Sequence, residues 1–291
     1  MSKGIKIAVI GGDMRQVYAA DHLSQEGYEV YSYGLSDMPR YATPCETYEM
    51  AIREARVILL PIPVTRDQLQ ISGTELSLAN FLLQIDPGMI VFGGMPDPIL
   101  IREIEARGAK VIDYAEDEVF KIQNALPTAE GAVAIAMGEL RRTLFGSQAL
   151  IVGYGRIGKL LGDLLRSMGC RVSIAARKAT DLSLAQLHGC HPIAIATVEG
   201  NSVLNIPSDF HVIFNTVPVR LIDERILRQL PRETVLIDLA SLPGGIDYDA
   251  AGRLGLKTVI ALSLPGKLTP ITAGEIIAGR VTAYVEGGCN T

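Results

Sequence analysis

Short apolar segments alternate with amphipathic helical segments along the whole 291-residue chain. This alternation is typical of βαβ units, because each strand needs a crossover helix before the next parallel strand. The first array of predicted strands is Lys6–Ile10, Glu29–Tyr33, Val57–Pro61, Met89–Phe92 and Lys110–Ile112. The second is Ala149–Gly153, Arg171–Ala176, Pro192–Ala196, His211–Asn215, Val235–Leu239 and Lys257–Ile260. We therefore predict an α/β protein with two doubly wound parallel-sheet domains, the first flavodoxin-like and the second a Rossmann dinucleotide-binding domain.

Two further helical segments divide the chain. Thr128 can cap a helix, Glu130 suits its first turn, and the apolar stretch that follows ends at Gly146, which predicts a hinge helix over residues 128–146. Thr269 and Pro270 begin a C-terminal helix in the same way. The predicted parts are therefore a flavodoxin-like domain (1–127), the hinge helix, a Rossmann domain (147–268) and a final helix (269–291) that crosses back to the first domain.

The second array begins with a complete glycine fingerprint, in which Gly153, Gly155 and Gly158 follow a strand and open a helix. In Rossmann domains the first glycine permits a tight turn, the second lets the backbone approach a pyrophosphate, and the third lets helix and strand pack closely. Free N–H groups at the start of the helix then bind the phosphates. We predict a dinucleotide here, with Arg156 and Ile157 completing the loop.

The first array has a similar strand and loop but fails this test. When Gly11 is aligned with the first glycine, Asp13 takes the second position and Gln16 the third. A carboxylate at the second position would repel a pyrophosphate and obstruct it. The sequence therefore predicts one nucleotide per chain, with the first domain contributing to substrate binding.

The end of the second strand in the nucleotide-binding array indicates which cofactor binds. NAD-selective sites place an acidic residue there, whereas this chain has Ala176 followed by Arg177, Lys178 and Thr180. An arginine can bind a 2′-phosphate through two parallel hydrogen bonds. These residues predict NADP rather than NAD.

Small polar residues follow the later strands of the second array, where a nicotinamide ring would lie. The cofactor-binding residues predicted there are Asn215, Thr216, Val217, Pro218, Ser241 and Pro265. Lys267, before the final helix, and Arg15, from the first domain, would each hold a carboxylate. The predicted substrate-binding residues are Asp13, Arg15, Asn124, Thr128, Ser241 and Lys267. Position alone makes Glu130, as proton acceptor, and Lys267 the predicted catalytic residues.

None of the four histidines is predicted at a strand end facing this cleft; they are His22, His188, His191 and His211. This pattern disfavours the histidine base of hydroxyacid dehydrogenases. Loss of hydride that is coupled to formation of an aromatic ring fits better, because it does not demand a strong general base.

Composition disfavours three classes of protein: nucleic-acid-binding, membrane-spanning and metal-binding proteins. A net charge of −5 disfavours nucleic-acid binding, and no apolar segment is long enough to span a bilayer. The cysteines show no metal-binding spacing, so we predict reduced thiols, no metal and a cytoplasmic protein; they are Cys45, Cys170, Cys190 and Cys289. We also expect a homo-oligomer.

Six phrases together resemble the A subunit of dipicolinate synthase from spore-forming bacteria. They are "IAVIGGDMRQ", "NALPTAEGAV", "LIVGYGRIGKLLGDLLRSMG", "FNTVP", "DLAS-PGG-D" and "SLPGKLTPITAGEII", in the family's order. The resemblance runs from Ile5 to about Ile277. The second and last phrases are more specific than the glycine fingerprint, which many dehydrogenases share.

The resemblance implies oxidation of dihydrodipicolinate to pyridine-2,6-dicarboxylate with NADP⁺. It also implies a partner B subunit and a role in the mother-cell cytoplasm during sporulation. Two alternatives remain open: another small-acid dehydrogenase of the 2-hydroxyacid type, or a cofactor-binding regulatory subunit whose partner performs the chemistry.

Overall fold

The computed structural model describes residues 4–198 and 201–287. The chain forms two compact units: unit 1 takes in the residues up to Asn124 and those from Pro265 onward, and unit 2 is Ala125–Leu264. Among the described residues, no helix combines the length and the apolar character needed to cross a bilayer. Cys289 lies outside the described residues.

Unit 1 is built on a fully parallel six-stranded sheet of order β3-β2-β1-β4-β5-β6. Its elements in chain order are β1 (Lys6–Ile10), α1 (Met14–Gln25), β2 (Glu29–Tyr33), β3 (Thr43–Pro44), α2 (Tyr48–Ile52), β4 (Val57–Leu59), α3 (Leu78–Leu82), β5 (Ile90–Gly93), α4 (Pro98–Glu105) and β6 (Lys110–Asp113). The five predicted strands are present in flavodoxin-like order. The sequence missed β3, because two residues are too few to show a period.

Unit 2 contains a seven-stranded sheet of order β10-β9-β8-β7-β11-β12-β13. Helix α5 (Glu118–Glu139) leads into it, followed by β7 (Gln148–Val152), α6 (Arg156–Ser167), β8 (Arg171–Ala176), α7 (Ala179–Leu187), β9 (His191–Val198), β10 (Asn201–Leu204), β11 (Val212–Asn215), α8 (Glu224–Leu227), β12 (Val235–Asp238), α9 (Tyr248–Leu254) and β13 (Lys257–Ile260). Six strands have the parallel Rossmann order, and β10 adds an antiparallel edge that the sequence missed. The predicted fold class is confirmed.

The helix at the boundary differs from the prediction. It begins at Glu118 rather than at Thr128, because the Asp117 carboxylate accepts the Phe120 N–H at 2.8 Å and caps it there. Pro127 lies inside the helix, and the helix ends at Glu139 rather than at Gly146. The predicted boundary at residues 127 and 128 therefore falls within α5.

The C-terminal helices α10 (Leu264–Leu268) and α11 (Pro270–Val285) complete the chain. Helix α11 packs along α1 within unit 1, where Ile277, Ala278 and Val281 are buried in the core. The approach is close at Gly274, where a Cβ atom would lie 2.6 Å from the carbonyl oxygen of Arg15. Unit 1 also takes in Pro265–Leu268, so its second segment begins four residues before the predicted boundary at residue 269.

Candidate functional site

The glycine loop of unit 2 leaves room for a phosphate. Gly153 has φ +100°, and a Cβ there would collide with Thr216; a Cβ on Gly158 would collide with the Gly153 carbonyl oxygen. Gly155 has open space where its Cβ would be, and no side chain caps the helix that it begins. The loop is thus tightly packed at Gly153 and Gly158 and open at Gly155. The first N–H groups of α6 suit a dinucleotide pyrophosphate.

The corresponding loop of unit 1 is filled by the protein itself. The Gly12 N–H donates to the Ser72 carbonyl oxygen at 2.7 Å, and a Cβ on Gly73 would lie 2.6 Å from the Gly12 carbonyl oxygen. Asp13 caps α1 and forms a capping box with Gln16. Backbone and carboxylate therefore occupy the positions that phosphates take in a Rossmann loop.

Three exposed residues follow β8, whose last residue, Ala176, is buried. Arg177 and Lys178 precede α7, and Thr180 is its second residue. Among the described residues, neither Arg177 nor Lys178 has an ion-pair partner. Both cations therefore lie free at the strand end where a Rossmann fold holds the ribose.

Asn215, which was predicted to bind cofactor, supports the loop after β11. It is fully buried, and its amide donates to the Val217 carbonyl oxygen at 2.9 Å and to Asp238 at 2.8 Å. Its oxygen accepts the Val217 N–H at 3.3 Å. These bonds hold Asn215 against the loop that carries Thr216 and Val217, and its contact with a cofactor stays a prediction.

The sequence missed the centre of this network. Asp238 is fully buried and accepts hydrogen bonds from the N–H groups of Ala240 and Gly245 and from the Tyr248 hydroxyl, the last at 2.8 Å. Burial and the hydrogen bond to Asp238 raise the pKa of Tyr248 to about 12. The network ties together the loops after β11 and β12. Asp238 and the three residues that donate to it here lie in the phrase "DLASLPGGIDY", of which the predicted site included only Ser241.

The other predicted nicotinamide residues differ in exposure. Thr216 and Val217 are half-buried, and Pro218 and Ser241 are exposed in loops of unit 2. Pro265 is buried in α10 and belongs to unit 1 rather than to the unit that carries the glycine loop.

A cavity of about 190 Å³ lies at the carboxyl ends of β1 and β4 in unit 1. Adjacent strands there lead to crossovers in opposite directions, which is where open α/β sheets bind ligands. Arg15, Asp13 and Arg66 line it, together with the loop that contains Ser72 and Gly73. Arg66, in the loop after β4, was not among the predicted substrate-binding residues.

Arg15 is held rigidly at this cavity. Its Nε and Nη2 atoms each donate to the Asp13 carboxylate at 2.8 Å, and Nη2 also donates to the Ile62 carbonyl oxygen. Burial would raise the pKa of Asp13, but the hydrogen bonds and charge of Arg15 outweigh it and hold that pKa below its ordinary value. The Nη1 end of the guanidinium stays available to an anion.

The segment around Lys267 packs onto Arg15. A Cβ on Gly266 would lie 2.9 Å from the Arg15 Nε atom, so a larger residue there would force the Arg15 side chain to shift. Lys267 is exposed in α10. Thr269 is the N-cap residue of α11, but its hydroxyl donates to Pro265 instead of capping the helix.

Three predicted site residues lie on α5. Thr128 is buried inside the helix, so the prediction that it caps a helix is wrong. Asn124 is half-buried at the end of the first segment of unit 1, and Glu130 is exposed on the part of α5 in unit 2.

The described cysteines and the histidines line neither the glycine loop of unit 2 nor the Arg15 cavity of unit 1. Burial raises the pKa of Cys45, Cys170 and Cys190, which keeps them as thiols. No group of the described residues has the ligands for a metal ion.

Residues 6–115 match the family model of the N-terminal domain of the dipicolinate synthase A subunit. The sequence is 28% identical to the A subunit of dipicolinate synthase from Bacillus subtilis (strain 168) over 286 residues, covering 96% of this chain and 95% of the relative. The crystal structure of the A subunit from Bacillus halodurans is 26% identical, with a TM-score of 0.85 and coverage of 98% of this chain and 99% of that one. The chain is similar to the dipicolinate synthase A subunit over nearly its whole length.

This relationship to dipicolinate synthase confirms the resemblance that the sequence motifs indicated. A more distant structure is L-alanine dehydrogenase, which is 13% identical with a TM-score of 0.64 over 95% of this chain and 88% of that chain. At that identity the likeness shows the fold alone, which is a two-domain Rossmann-like α/β fold.

Proposed function

We propose that this chain is an NADP-dependent dehydrogenase subunit that oxidises dihydrodipicolinate to pyridine-2,6-dicarboxylate during sporulation, in the mother-cell cytoplasm and together with a B subunit. The observation that carries the proposal is the open glycine loop at Gly155 in a chain related to the dipicolinate synthase A subunit over nearly its full length. Similarity supplies the substrate, and the loop supports the use of a dinucleotide.

The residues of unit 2 fit NADP. The N–H groups after Gly155 would hold the pyrophosphate, and Arg177 and Lys178 would hold the 2′-phosphate. The Asn215–Asp238 network would fix the loop that carries Thr216. When bound, NADP⁺ accepts the hydride that leaves the dihydropyridine ring.

The residues of unit 1 fit a carboxylate-bearing substrate. Arg15 offers its Nη1 end at a cavity that Arg66 also lines, and Lys267 is an exposed cation in α10, next in the chain to the glycine that packs on Arg15. One carboxylate would bind to Arg15 and the other to Lys267. The second hydrogen of the oxidation leaves as a proton, for which we propose Glu130 as acceptor. Formation of an aromatic ring favours its loss, so a weak base suffices.

The test is a coupled assay on the purified full chain, with and without a candidate B subunit. Dihydrodipicolinate would be generated in situ by its upstream synthase, and both nicotinamide reduction and pyridine dicarboxylate formation would be followed. Equal amounts of both products from the chain alone support the dehydrogenase assignment and show that the chemistry does not require B. Products formed only with B added make the active site a shared one.

Two results would oppose the proposal. Turnover of 2-hydroxy acids without formation of the pyridine product would favour a small-acid dehydrogenase. NADP binding without hydride transfer under any condition would favour a regulatory subunit.

A further inference from the structure

Unit 2 has a cavity of about 680 Å³ that its glycine loop does not line. It lies between the segment after α5 and the amino ends of β11, β12 and β13. These strands are parallel to β7, so the amino ends lie at the opposite edge of the sheet from the carboxyl end that carries the glycine loop. A ligand here would not compete with a nucleotide there.

His211 lies in the wall of this cavity with a fixed tautomer. The main-chain N–H of Gln148 donates to its Nδ1 atom at 2.9 Å, so Nδ1 must be an acceptor and carries no proton. The proton of the neutral ring is then on Nε2. Burial, and next the positive charge of Arg142, lower the pKa of His211, which keeps the ring neutral.

Arg142 places a second hydrogen-bond donor against the Nε2–H group of His211. Its Nη1 atom contacts His211 Nε2. A guanidinium can only donate, and Nε2 carries the ring proton, so two donors face each other with no acceptor between them. An oxyanion placed beside both groups would accept one hydrogen bond from the Arg142 guanidinium and one from the Nε2–H of His211.

The remaining charges around the cavity also favour an anion. Glu139 is paired with Lys257, and the Asp209 carboxylate accepts from the side-chain amide of Gln148. Among the described residues, Arg141 and Arg232, which line the cavity, form no ion pair. Asp209 and Glu233 are the lining acids without a cationic partner in the described part of the chain. They stand against three such arginines, Arg141, Arg142 and Arg232, so unpaired positive charge exceeds unpaired negative charge.

We infer that this cavity is a second ligand site, which binds a small multivalent oxyanion, a phosphate or a polycarboxylate, between Arg142 and the Nε2–H of His211. Arg141 and Arg232 contribute long-range attraction. The site is independent of the proposed dehydrogenase function and of its glycine loop.

Nuclear magnetic resonance of the histidine rings tests this directly, because the chain has only four histidines. The labelled full chain would be titrated at constant ionic strength with pyrophosphate and, separately, with citrate. A Gly155→Asp variant would be measured in parallel to exclude binding at the glycine loop. We expect the Nε2–H signal of His211 to move saturably while those of His22, His188 and His191 stay.

Two variants distinguish anion binding at this cavity from a nonspecific effect of ionic strength. Arg142→Gln should weaken anion binding roughly tenfold to a hundredfold, because a charge-assisted hydrogen bond is lost. Arg228→Gln, which removes an arginine outside the cavity, should leave it unchanged. A response to pyrophosphate alone identifies a phosphate site, and a response to citrate alone identifies a carboxylate site. An Nδ1–H tautomer, equal shifts of all four rings, no shift, or insensitivity to Arg142→Gln would each overturn the inference.

Discussion

The main-chain N–H of Gly12 donates to the carbonyl oxygen of Ser72 across 2.7 Å. The chain itself thereby takes the hydrogen bond that a phosphate would accept in unit 1. In unit 2 the space above Gly155 is open. Two loops of similar sequence thus differ in whether their own protein covers them.

We predict that one dinucleotide binds per chain and that Gly155→Asp abolishes its binding. Aspartate suits the N-cap position and the extended backbone of Gly155, so the fold should be retained, while its carboxylate repels a pyrophosphate. Calorimetric titration with NADP⁺ measures the number of sites and the affinity. Gly138→Asp, at another glycine with open space, should bind normally. Two sites per chain, or residual binding in Gly155→Asp, would contradict the assignment.

The selectivity for NADP should depend on Arg177. Arg177→Asp should weaken NADP⁺ binding roughly tenfold to a hundredfold, because a charge-assisted hydrogen bond to the 2′-phosphate is replaced by repulsion. NAD⁺, which lacks that phosphate, should bind almost as before. Arg171→Asp, at the other end of the same strand, is the control. Equal losses for both nucleotides would refute the argument.

The two proposed carboxylate ligands should behave differently when removed. Lys267→Ala should raise the apparent KM for substrate without changing the free energy of unfolding, because the side chain is exposed. Arg15→Ala should also destabilise the protein, by about 1–2 kcal/mol, since it leaves Asp13 without its partner. Steady-state kinetics and urea unfolding separate the two effects. Loss of NADP⁺ binding in either variant would oppose their assignment to substrate.

The stabilising effect of Arg15 should depend on pH. The folded pKa of Asp13 is lowered below its ordinary 3.8, so the stability from this pair is present above that pH and is lost as pH falls through the folded pKa. The difference in unfolding free energy between wild type and Arg15→Ala should therefore be largest above about pH 4 and should shrink on further acidification. A difference that is constant with pH would assign the effect to packing alone.

The sequence predicted both sheets because their strands are apolar runs of regular spacing, and the glycine fingerprint marked the loop where we predict a nucleotide. It could not show that Ser72 covers Gly12, because that contact joins segments about sixty residues apart. Nor could it show that Asn215 is buried, since the same residue type serves as ligand or as support depending on its partners. The predicted ligand contacts stay predictions.

Tyr248 should stabilise the loops through Asp238 over a defined pH range. Its folded pKa of about 12 exceeds the ordinary value of 10.0, so this stabilisation is complete below pH 10 and is lost as pH rises through 12. Tyr248→Phe should lower the free energy of unfolding by about 1–2 kcal/mol at pH 8, with a smaller deficit in strong alkali. Denaturant unfolding at several pH values measures this. A deficit that does not change with pH would contradict the hydrogen bond from the Tyr248 hydroxyl to Asp238.

Two glycines of α11 should respond in opposite ways to alanine. At Gly274 a Cβ would lie 2.6 Å from the Arg15 carbonyl oxygen and 2.8 Å from the Ala19 main-chain nitrogen, and backbone atoms cannot move aside cheaply. Gly274→Ala should therefore destabilise the protein by about 1–3 kcal/mol by forcing α11 away from α1. Gly279 in the same helix has open space, so Gly279→Ala should stabilise it by about 0.5–1 kcal/mol through helix propensity. Urea unfolding of the two variants gives both signs in one experiment. Equal effects would mean that α11 does not pack closely on α1, and the support that Gly274 gives to Arg15 would then be lost as well.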